Sequence, residues 1–144
     1  MNAFTITEET IVNQLLVPAD IVNPLTGERF KTVALWDTGA ASTVITSKIA
    51  ARLGLTITGT IVTKGLHAKR KVCQYHAAIH IGDIRLTLPV TECSKAISPQ
   101  VECVIGMDII SQGDMALTNH GGRTTLTFRI PSQGNIDFIP DKSI

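Results

Sequence analysis

Aromatic side chains are scarce in this sequence, with one Trp, one Tyr and four Phe among 144 residues. A core cannot rest on so few rings, so Val, Ile and Leu must fill it, and β-branched residues of that kind favour strands. An excess of charge of one sign is also lacking. The 13 basic and 12 acidic residues nearly cancel, and no arginine-rich stripe is present, which argues against nucleic acid as a partner. The longest basic cluster, Lys69-Arg70-Lys71, reads as a solvated loop or hairpin end. No stretch approaches the roughly 20 apolar residues of a membrane span. The segment Met1 to Glu9 is polar and acidic and lacks the features of a signal peptide. Cysteine is rare and odd in number: Cys73, Cys93 and Cys103 show no Cys-x-x-Cys spacing. A disulfide framework is therefore not expected, and half-buried thiols in a reduced, cytoplasmic protein are.

What remains reads as one domain, without repeats, low-complexity segments or linkers. An N-terminal extension (1–14) precedes a folded region (15–130) and an irregular tail (131–144). Leu15 to Val22 reads as a strand, with Pro18 suggesting a sheet edge. Asn23 to Gly27 is a turn, and Phe30 to Trp36 the return strand. Thr46 or Ser47 can cap a short helix that ends at Leu53, with Gly54 closing it. Leu55 to Thr63 is β-rich, and Lys64 to Lys69 reads as a hairpin tip. Beyond it Cys73, Tyr75, Ala77, Ile79 and Ile81 alternate with Gln74, His76 and His80. Ile84, Leu86, Leu88 and Val90 form the apolar face of the next strand, and Glu92 to Gln100 reads as a loop. Val101 to Ile105 is a short buried strand, Gly106 admits a helix near Met107, and Met115 to Thr118 with Arg123 to Ile130 make a last hairpin. The fold class is mainly β, a small closed, barrel-like sheet with one or two short helices.

Chemistry is concentrated where Val33-Ala34-Leu35-Trp36 leads into Asp37-Thr38-Gly39-Ala40, followed by Ser42, Thr43, Val44 and Ile45. An apolar strand delivers a carboxylate to a turn of small residues, which suits an acid or base that substrate must reach. The tripeptide alone is weak, since chance places one in roughly 7% of shuffled chains of this composition. A second segment, Val104-Ile105-Gly106, follows about seventy residues later and opens a short helix. A hairpin with Gly65 near its tip lies between them.

This order resembles the retropepsin-like aspartic proteases, over roughly Leu15 to Phe128. The resemblance implies a small β-barrel-like acid-protease subunit that acts as a homodimer on an extended peptide or protein. It implies neither cofactor nor metal. Asp37 would be the catalytic aspartate, and Thr38, Gly39, Ala40 and Ser42 would support its loop. Thr38 would hydrogen-bond across the dimer axis. Val104, Ile105 and Gly106 would brace the loop from behind, and Gly65, Leu66 and His67 would form the flap over bound peptide. Two carboxyls about 3 Å apart share one proton, so one can activate water while the other donates to the scissile carbonyl. A monomer holds only one of them.

The sequence also departs from the family pattern. Ala40 has no hydroxyl to support the ionised carboxylate, which implies a less acidic pH optimum than that of an Ala40→Ser variant. Ala41 replaces an Asp that viral members use to clamp substrate backbone; Ser42 and Thr43 could support the loop instead. Asp108 reads as an ion-pair or capping residue. His76 and His80 share a strand face but lack the further ligands of a zinc site. Ser42, His67 and Asp83 have no nucleophile-elbow context. Trp36 reads as core packing beside the loop. The alternative function is a catalytically inactive peptide-binding or protein-interaction module on the same fold.

Overall fold

A computed structural model describes residues 2–64, 67–95 and 97–139. In chain order the elements are β1 (Asn2–Thr7), β2 (Leu15–Val22), β3 (Arg29–Trp36), β4 (Val44–Thr46), α1 (Ser47–Leu53), β5 (Thr56–Lys64), β6 (Lys69–Ile81), β7 (Ile84–Cys93), β8 (Val101–Ile105), α2 (Met107–Ile110), β9 (Asp114–Thr118) and β10 (Thr125–Ile130). The main sheet runs β2-β3-β8-β4-β7-β6-β5, and a further β2–β6 pairing closes six of these strands into a barrel. β6 is long enough to serve two partners along one edge. Lys69 to His76 pair β5, while Ala78 to His80 pair β2.

Alternation of side chains explains the closure. Ala77, Ile79 and Ile81 of β6 and Ile84 and Val90 of β7 are buried. They meet Val17, Ala19 and Ile21 from β2, and Ala34 and Trp36 from β3, in one core. Aliphatic residues fill the barrel, as the shortage of aromatics requires. Pro18 lies within β2 opposite Val33. β2 is not a free edge strand, because its other side pairs β6 at Asp20 to Val22. Pro18 is tolerated because that second ladder begins two residues further on.

The helix α1 buries Ile49, Ala50 and Leu53. Gly54 closes it in the left-handed conformation, at φ 58°, donating its N–H to the Ala51 carbonyl. The Asn23 side chain donates to the Leu53 carbonyl at 2.8 Å, which satisfies a buried helix end. Thr46 occupies the N-cap position, yet its hydroxyl makes no cap bond.

A separate three-stranded sheet, β1-β10-β9, packs beside the barrel. The sequence pattern gave no sign of β1, whose residues are mostly exposed. Pairing with β10 from Asn2↔Ile130 to Thr7↔Thr125 makes it a strand. Phe4 then meets Trp36 edge-on at 5.3 Å between ring centroids, and Trp36 meets Phe128 at 5.0 Å. Three of the few aromatics thus tie this sheet to the end of β3. Two further boundaries differ from the sequence reading. β7 continues to Cys93, because β4 pairs Thr91, Glu92 and Cys93 in parallel. β10 begins at Thr125, after a 3-10 turn at His120–Gly122.

Candidate active site

β8 lies between β3 and β4, parallel to the first and antiparallel to the second. The chain leaving β3 at Trp36 must therefore arch over the end of β8 before entering β4 at Val44. That arch is the Asp37 loop. Its backbone continues the ladder, since Asp37 N–H donates to the Ile105 carbonyl at 3.0 Å. The loop then closes a turn through Ala40 N–H to the Asp37 carbonyl at 3.1 Å. The Gly39 N–H donates to Asp37 Oδ1 at 2.8 Å, fixing the carboxylate on a half-buried side chain. Thr38 and Gly39 are exposed at the crest.

Gly106 sits directly beneath the arch. A Cβ there would stand 2.6 Å from the Ser42 carbonyl carbon and 2.9 Å from the Ala40 carbonyl oxygen. Its φ is −101°, so space rather than backbone conformation demands glycine. α2 starts against the loop, with Met107 N–H donating to Ala40 O at 2.8 Å and Asp108 N–H to Ala41 O at 3.2 Å. Val104 and Ile105 are buried beneath.

The deepest anchor is Thr43, which is fully buried. Its N–H donates to Asp108 Oδ2 at 2.8 Å and its hydroxyl to Asp108 Oδ1 at 2.7 Å. The same hydroxyl accepts Gly106 N–H at 3.2 Å. Asp108 Oδ1 also accepts the N–H of Ile109. Asp108 is therefore a clamp on the loop, and among the described residues it forms no ion pair. Its pairing with Thr43 across 65 residues is a tertiary fact. The sequence signal for it is limited to a small polar residue before Val44 and an acid two residues after Gly106. The Ser42 hydroxyl makes no hydrogen bond among the described residues.

Beside the loop a depression of about 420 Å³ is lined by residues 12–15, Leu35 to Thr38 and Leu117. Trp36 is 4% exposed, so packing dominates its role. The β5–β6 hairpin extends beyond its neighbours, as Lys69 to Cys73 pair only β5. Gly65 and Leu66 at its tip lie outside the described residues, and His67 is exposed. At the hairpin base Tyr75 donates to Glu92 Oε1 at 3.2 Å. Burial, then the Glu92 charge, pushes the Tyr75 phenol up to about 12. His80 is held below the usual imidazole range by burial and then by Arg85. Among the described residues no cluster of His, Cys, Asp and Glu could hold a metal. No helix among them is long and apolar enough to cross a membrane.

A closed barrel that presents a braced Asp-Thr-Gly loop is a retropepsin-like fold. The family model described as "gag-polyprotein putative aspartyl protease" matches residues 25–112, and the chain belongs to that family. Solved structures share the fold. The chain is 16% identical to a retropepsin-like aspartic protease from Rickettsia conorii, with a TM-score of 0.54 over 88% of this chain and 92% of the other. It is 15% identical to the retroviral protease-like domain of Ddi1 from Leishmania major, with a TM-score of 0.54 over 93% and 100%. It is 16% identical to the EIAV protease in complex with the inhibitor HBY-793, with a TM-score of 0.50 over 69% and 86%. No curated protein sequence matches the chain.

Proposed function

We propose that the chain is an aspartic endopeptidase that works as a homodimer, with residues 15–130 as the catalytic domain. The observation that carries this reading is the loop geometry: a carboxylate fixed by Gly39 N–H on an arch braced from below by Gly106 and Asp108. Positioning a group before reaction is what acid–base catalysis requires.

Asp37 from each subunit supplies half of a dyad. One carboxylate, ionised, takes a proton from water. The other, protonated, donates to the scissile carbonyl as the water oxygen adds. Collapse of the tetrahedral species breaks the C–N bond, and a dyad proton goes to the leaving amine. Thr38 at the exposed crest is positioned to meet a partner loop, and Gly39 leaves room for substrate. Ala40 and Ser42 contribute backbone to the arch. Substrate lies extended and hydrogen-bonds as an added strand, beneath a flap formed by the β5–β6 hairpin and including Gly65, Leu66 and His67. Three free cysteines fit a reducing compartment such as the cytoplasm.

The test combines a peptide library with titration of protein concentration. Cleavage abolished by Asp37→Asn, with specific activity rising as sedimentation detects dimer, is the expected result. Cleavage that survives Asp37→Asn refutes the mechanism. A folded chain that binds peptides but cleaves none supports the interaction-module reading instead.

A further inference from the structure

The β5–β6 hairpin concentrates charge in a way the rest of the molecule does not. Lys64, Lys69, Arg70 and Lys71 are all exposed at its outer end. No Asp or Glu occurs from Thr56 to Gln74, in a chain whose net charge is only +1. Register makes the crowding worse: Lys64 stands directly opposite Lys69, and Arg70 and Lys71 follow opposite Thr63 and Val62. Like charges facing one another across a ladder destabilise the pairing. Among the described residues none of these four cations forms an ion pair. The acid at the hairpin base, Glu92, already accepts the Tyr75 hydroxyl.

Alternation also sorts them by face. Ala77, Ile79 and Ile81 turn into the barrel core, and the same side of β6 carries Lys69 and Lys71 further out. Cross-strand pairing puts Lys64 on that side too. A repulsive trio on one face of a projecting hairpin is relieved when an anion lies against it.

We propose that this hairpin selects acidic peptide substrates, its lysines pairing with Asp or Glu side chains that flank the cleaved bond. The inference rests on the protease reading above and adds the substrate class. Single-stranded nucleic acid is a poorer occupant. The hairpin has no aromatic residue between Ile57 and Gln74 on which a base could stack, and four charges do not make a stripe that tracks phosphates.

The experiment uses the full chain and two peptides with the same cleavable core, one flanked by Glu and one by Gln. Three exposed ion pairs together give about a threefold to hundredfold preference in kcat/KM at low salt. The preference should shrink as salt shortens the screening length to about 10 Å near 0.1 M. In the variant Lys64→Gln/Lys69→Gln/Lys71→Gln the ratio should fall to about one, whereas Lys48→Gln, a cation on α1, should leave it intact. Equal kcat/KM for both peptides in the unaltered chain overturns the proposal while leaving the protease reading standing. Absence of any cleavage overturns the protease reading, and fluorescence anisotropy of the two labelled peptides then decides whether the acidic one is bound preferentially. Displacement of the bound acidic peptide by equimolar oligodeoxythymidine also overturns the proposal, in favour of nucleic acid.

Discussion

Removing the Asp108 carboxylate should loosen the loop that holds Asp37, though the two side chains do not touch among the described hydrogen bonds. Asp108 accepts two bonds from Thr43, at 2.8 and 2.7 Å. Thr43 is fully buried, so neither donor can turn to water when the acceptor is lost. Hydrogen bonds to charged groups contribute about 1.5–3 kcal/mol each, and stranding a buried donor costs about 1–3 kcal/mol. Asp108→Ala should therefore destabilise by about 2–4 kcal/mol, after partial relaxation. Thr43→Val keeps the shape but removes the hydroxyl that also accepts Gly106 N–H at 3.2 Å; about 1–3 kcal/mol is expected. The two share a bond, so the double variant should cost less than the sum, with a coupling of about 1–2 kcal/mol. Urea unfolding of the four proteins measures all three quantities. A coupling within about 0.3 kcal/mol of zero refutes the clamp, since independent sites add to that precision.

Gly106→Ala drives a Cβ to 2.6 Å from the Ser42 backbone and should destabilise by about 2–4 kcal/mol through overpacking and lost loop bonds. Gly59→Ala, where nothing lies within 4 Å, is the control, and equal unfolding midpoints for the two variants would contradict the account. Asp114 is held down to about 2 by Gln133 N–H, then by the Ser132 hydroxyl and Arg129. A carboxyl depressed in the fold stabilises it fully above its unfolded value of about 3.9 and loses that contribution as pH falls towards 2. Hydrogen exchange of Gln133 should accelerate, after correction for intrinsic rates, across that window, and Asp114→Asn should remove the transition. Cys103 is completely buried, and burial, then the Asp108 charge, pushes its thiol up to about 12. A thiol reagent should modify the half-buried Cys73 and Cys93 in the native protein and reach Cys103 only on unfolding; mass spectrometry of three equally labelled sites would refute this.

Strand positions were legible because their signals are local. Leu15–Val22 and Val101–Ile105 follow from apolar runs between turn residues, and β6 from strict alternation. The Gly54 stop follows from the one residue that enters the left-handed region freely. The strand β1 was not legible, because exposed residues alternate there with only Phe4 and Ile6. Its partners lie about 120 residues away, from Thr7↔Thr125 to Asn2↔Ile130, and no local pattern reports such pairing. The bonds from Thr43 to Asp108 were not legible for the same reason, since an acid in the first turn of a helix has an adequate local explanation, here its bond from Ile109 N–H, without Thr43.

The sequence by itself determined the class of fold, most of the strands from Leu15 onward and the small-residue loop at Asp37. These depend on side-chain period and on residues that fit tight turns. Only the tertiary structure decided that β8 runs between β3 and β4. That placement forces the loop over Gly106 and brings Thr43 onto Asp108. Sheet neighbours are chosen by global packing, not by adjacency, so the residues that brace the carboxylate come together only when the barrel closes.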